Sequence, residues 1–105
     1  MKILVNSGHN IVVDAAMEQS LAGSVSARLA HFDDRITRVE LHLSDVDGAN
    51  RAGPRQMQCV LEVRLAGRQP DTVTASAATI EHAVRDASDK MHHLLDSIFA
   101  RARSY

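Results

Sequence analysis

The stretch "MQCVLEVRL", residues 57–65, decides the fold. Met57, Cys59, Leu61, Val63 and Leu65 alternate with Gln58, Val60, Glu62 and Arg64, the period-two pattern of a strand with one face on a core and one toward water. Upstream, Ile36 to Ser44 repeats it, with Val39, Leu41 and Leu43 set against Arg38, Glu40 and His42. The turn-rich connector "DVDGANRAGPRQ", residues 45–56, joins the two. Downstream, "AGRQPD" makes a turn, and "TVTASA", residues 72–77, reads as a short strand with Val73, Ala75 and Ala77 inward.

Toward the ends of the chain the period changes. "KILVNS" reads as a first strand with Ile3 and Val5 on one face, followed by the turn "GHN" and the apolar pair Val12 and Val13. Asp14 is placed to cap a helix whose stripe is Met17, Leu21, Val25, Leu29 and Phe32, ended by "FDDR". Thr79 caps a last helix with Ile80, Val84, Ala87, Met91, Leu94 and Ile98 on its buried stripe. The expected fold is α+β, in the order β-α-β-β-β-α: one mostly antiparallel four-stranded sheet with two helices on one face.

The 105 residues are expected to form one domain, residues 1–105, with a core of aliphatic side chains, since only three aromatics are present. Cys59 stands alone, so no intramolecular disulfide forms and a reducing cytoplasm fits. No stretch approaches the ~18 apolar residues of a membrane span, and the short apolar run at the start gives no reason to expect export. Lys and Arg number 12 against 13 Asp and Glu, a net charge of −1 that rises to +5 if all six histidines are protonated. A uniformly basic nucleic-acid binder is therefore excluded, and local charge must decide.

The most charged segment is "HAVRDASDKMHHLLDSI", residues 82–98. At about 100° per residue, with Met91 facing inward, His82 and His93 point to solvent among Asp86, Asp89 and Asp96. The pairs His82/Asp86, Asp89/His93 and His92/Asp96 have the four-residue spacing of helix-surface charge pairs, which also suits two metal ligands. No third ligand, paired cysteines or His-Glu-x-x-His motif accompanies them, so no metal is expected. Ser7 and Ser88 lie in no nucleophile elbow, the glycines form no phosphate-binding loop, and Cys59 reads as a small core residue. No enzyme, cofactor or small-molecule substrate is expected.

Several short motifs do carry a resemblance. Gly8, His9, Asn10, Ile11, Val13, Asp14 and Ala16 follow the first strand, Asp34-Arg35-Ile36-Thr37-Arg38-Val39 enters the second, and Ala83, Val84, Asp89, Lys90 and Met91 sit in the last helix. In this order, across nearly the whole chain, they resemble the ribosome hibernation-promoting factor and ribosome-associated inhibitor family, in its short form. Thr79, Glu81 and Arg85 depart from the family's Asp, Tyr and Asp.

The resemblance implies a fold akin to double-stranded-RNA-binding domains and a cytoplasmic, monomeric binder of the small ribosomal subunit. It implies that the protein occupies the decoding region and blocks translation during stress or stationary phase. On that reading Lys90, Arg101 and Arg28 are the phosphate-contacting residues on the exposed helix flanks, with Arg85, His92 and Arg103 on another flank of the last helix. Protonation of His82, His92 and His93 would then add phosphate-binding charge as the cell acidifies. The first helix carries Arg28 as its one base before its end, which also suits a second reading: a protein-protein interaction module on the same fold.

Overall fold

A computed structural model describes residues 1–8, 10–46 and 56–103, without the Arg103 side chain. The elements are β1 (Lys2–Ser7), α1 (Ala15–Arg28), a 3-10 turn at Ala30–Phe32, β2 (Ile36–Asp45), β3 (Met57–Leu65), β4 (Asp71–Ala77) and α2 (Ile80–Arg103). The four strands form one sheet in the order β1-β2-β3-β4. β2, β3 and β4 are antiparallel neighbours, with Leu43 opposite Cys59 and Cys59 opposite Ala75. β1 is the exception, running parallel to β2 with Lys2 opposite Arg38. A parallel neighbour needs a long crossover, and α1 provides it.

The alternation read from residues 57–65 is the alternation of burial. Met57, Cys59, Leu61, Val63 and Leu65 are buried, as are Val39, Leu41 and Leu43 opposite them. Leu21 and Val25 of α1 and Ala83, Val84, Ala87 and Met91 of α2 close the same core. The 45–56 connector is described only at its ends, where the Val46 N–H donates to the Gln56 carbonyl at 3.0 Å. Residues 47–55 lie outside the described residues.

Both helices start where their caps place them. Asp14 Oδ1 accepts the Met17 N–H at 2.8 Å, and Thr79 Oγ1 accepts the His82 N–H at 3.1 Å, each satisfying a main-chain donor of a first turn. Two details differ from the periodic reading. α1 ends at Arg28, and the Phe32 N–H donates to the Leu29 carbonyl, so Phe32 enters the core from the tighter 3-10 turn rather than along the helix stripe. In α2 it is Leu95 that is fully buried, while Leu94 is half-buried. α2 packs against α1 as well as the sheet, which widens its buried face toward Ser88 and Leu95. Ser88 is accommodated there because its hydroxyl donates to the Val84 carbonyl at 2.7 Å.

Candidate nucleic-acid interface

α2 presents a crest and two flanks. The crest carries His82, Asp86, Asp89, His93 and Asp96, all at least partly exposed. Two of the spaced pairs form: His82 Nε2 lies 3.5 Å from Asp86 Oδ2, and His92 Nδ1 lies 3.4 Å from Asp96 Oδ2. Asp89 does not pair with His93. It accepts a 2.9 Å hydrogen bond from Arg28 Nη1, which ties α2 to the last turn of α1.

The basic residues divide between the flanks. Arg28, on the α1 side, has its charge offset by Asp89. Helical spacing sets Arg85 on that side, in line with Asp89 and His92. On the opposite flank, Lys90 Nζ donates to the Thr74 carbonyl of β4 at 2.7 Å, and Arg101 Nη1 approaches Ser97 Oγ at 3.4 Å. Lys90 and Arg28 are thus not gathered into one patch: the acidic crest runs between them. Arg103 belongs to α2, but its side chain lies outside the described residues.

His92 faces less outward than its neighbours. Its ring meets Phe32 edge-on at 5.1 Å, and Phe32 in turn stacks on Phe99 at 5.6 Å beneath the Arg35 guanidinium. His92 is therefore half-buried at the α1–α2 seam, whereas His82 and His93 are exposed as the helical angle requires. Burial pushes the Cys59 thiol up to about 12, so it stays protonated and is a poor nucleophile.

On the other face of the sheet, register assembles a group that no contiguous motif announces. Glu40 and Glu62 stand directly opposite across β2 and β3, and His42 follows Glu40 by two residues. One ligand atom from each lies within 4.8 Å of the others, the one such group among the described residues. An open cleft of about 610 Å³ at the helix N-termini is lined by Ile11, Val12, Met17, Met57 and Ile80, with Asn10, Thr79 and Glu81 as its polar groups. That lining holds no nucleophile beside a base, and Thr79 is already the α2 cap.

Comparison with known proteins agrees with this architecture. The N-terminal domain of Thermus thermophilus Protein Y has a TM-score of 0.72 at 18% identity, covering 93% of this chain and 99% of that one. A ribosomal subunit interface protein from Coxiella burnetii has a TM-score of 0.76 at 15% identity, covering 95% of this chain and 99% of that one. No curated protein matches the sequence significantly. Residues 4–102 match the family described as "Sigma 54 modulation protein / S30EA ribosomal protein". With nearly all of the sheet and helices and all of the hibernation-factor motifs inside that span, the chain belongs to this family of non-catalytic, ribosome-associated proteins.

Proposed function

We propose that this protein is a non-enzymatic, cytoplasmic ribosome-binding factor that occupies the decoding region of the small subunit and blocks translation during stress or stationary phase. The observation that carries the proposal is the family match over residues 4–102, nearly the whole chain. The helix face supports it. Lys90 and Arg101 border one side of α2, and Arg85 with Arg28 borders the other, so phosphates could be met along both flanks. Lys90 uses one donor on Thr74, which leaves two of its three for a phosphate. The protein acts as a monomer in this reading.

The test is sedimentation of the purified protein with vacant ribosomes through a sucrose cushion at low and high salt, with translation assayed in parallel. Salt-sensitive co-sedimentation with the small subunit and a block in translation are expected. Protein left in the supernatant at low salt would overturn the proposal. The second reading, a protein-protein interaction module, is favoured by the Arg28–Asp89 pair and the acidic crest, which reduce the positive field of the helices. That reading expects binding insensitive to salt.

A further inference from the structure

We infer that Glu40, His42 and Glu62 bind a single divalent transition-metal ion, zinc in class, on the open face of the sheet. The three side chains project from the middle of β2 and β3, in a register fixed by antiparallel pairing on both sides of them: Val39 opposite Val63 and Leu41 opposite Leu61. They are therefore held by a rigid scaffold, which is where a coordination site is best positioned. Glu40 and Glu62 oppose each other directly, and their side chains are only 17% and 22% exposed. Like charges so placed destabilise a strand pair unless a cation lies between them.

The neighbouring arginines meet that need only in part. Arg38 Nη2 stands 3.6 Å from Glu40 Oε1, too far for a hydrogen bond, and Arg64 Nε lies 3.2 Å from Glu62 Oε2. Each carboxylate has a second oxygen. With His42, the donor set is one imidazole nitrogen and two carboxylate oxygens. That set suits Zn²⁺, Co²⁺ or Ni²⁺, whereas Mg²⁺ and Ca²⁺ take more ligands, all of them oxygen. Zinc bonds of about 2.0–2.2 Å place tetrahedral ligands ~3.4 Å apart, so small rotations of the two glutamate side chains close the present spacing. Three protein ligands leave a position for water or for a donor from a partner.

The test is calorimetric titration of the whole protein with zinc chloride in a non-chelating buffer, with cobalt absorption spectra as a second readout. One site is expected, and Glu62→Gln and His42→Ala should each weaken binding by at least the ~10-fold that even outer-sphere changes cost. A His92→Ala/His93→Ala variant, which removes adjacent imidazoles of α2, should bind as tightly as the parent. Because Glu62→Gln also removes the like-charge contact, it should fold normally, and zinc should raise the melting temperature of the parent but not of this variant. Absence of stoichiometric binding, or loss in the α2 variant with His42→Ala unaffected, would overturn the inference.

Discussion

Cys59 is fully buried on the core face of β3, and its raised thiol fixes its chemistry. Iodoacetamide should leave it unmodified in the native protein and label it once denaturant unfolds the chain; labelling at native stability would contradict the burial. The sign of the linkage follows. The unfolded thiol ionises at 9.0 and the folded one at about 12, so stability is unaffected below 9.0 and falls as pH rises between the two. In the proposed function Arg28 and Asp89 bear on ribosome binding rather than on stability. Both are substantially exposed, and such a pair is worth about 0–1 kcal/mol, so Arg28→Ala should barely move the melting temperature. Asp89→Asn should release Arg28 toward phosphate. It should tighten ribosome binding at low salt and steepen the salt slope by about one; an unchanged slope would place Arg28 away from phosphate. The Arg28–Asp89 pair could not be read in advance, because 61 residues separate the partners.

Among the described residues, the two periods in the sequence were enough to find each strand and both α-helices, and the inward face of each strand, but not the 3-10 turn at Ala30–Phe32. Helix α2 marks where periodicity stops being sufficient. Leu94 and Leu95 are both apolar and adjacent, and the position of α1 decides which of them is enclosed. Leu95→Ala should cost about 2–5 kcal/mol and Leu94→Ala clearly less, measured by denaturant unfolding; equal losses would contradict the assigned face. The contact of His92 with Phe32 was not legible for the same reason, since Phe32 reaches it from a turn outside the helix pattern. The Glu40, His42 and Glu62 group has a signal, alternate positions on two neighbouring strands. It becomes visible only when the β2–β3 register is known.

The whole molecule has almost no net charge, and the sheet interleaves its arginines and glutamates, yet α2 segregates its own charges: aspartates and histidines on the crest, bases along the flanks. Protonated His82 and His92 would each neutralise the aspartate already within reach. The parallel placement of β1 was the global feature that pattern alone left open, since neighbour order is set by the α1 crossover rather than by the strand itself. β4, at the other side of the sheet, is an edge strand, and the ammonium of Lys90 sits on one of its main-chain carbonyls. A lysine in that place discourages another copy from adding a strand, a common route to aggregation. Lys90→Ala should thus show concentration-dependent self-association in analytical ultracentrifugation, while Lys90→Arg stays monodisperse: a residue proposed to meet RNA would also be one that keeps the protein from sticking to itself.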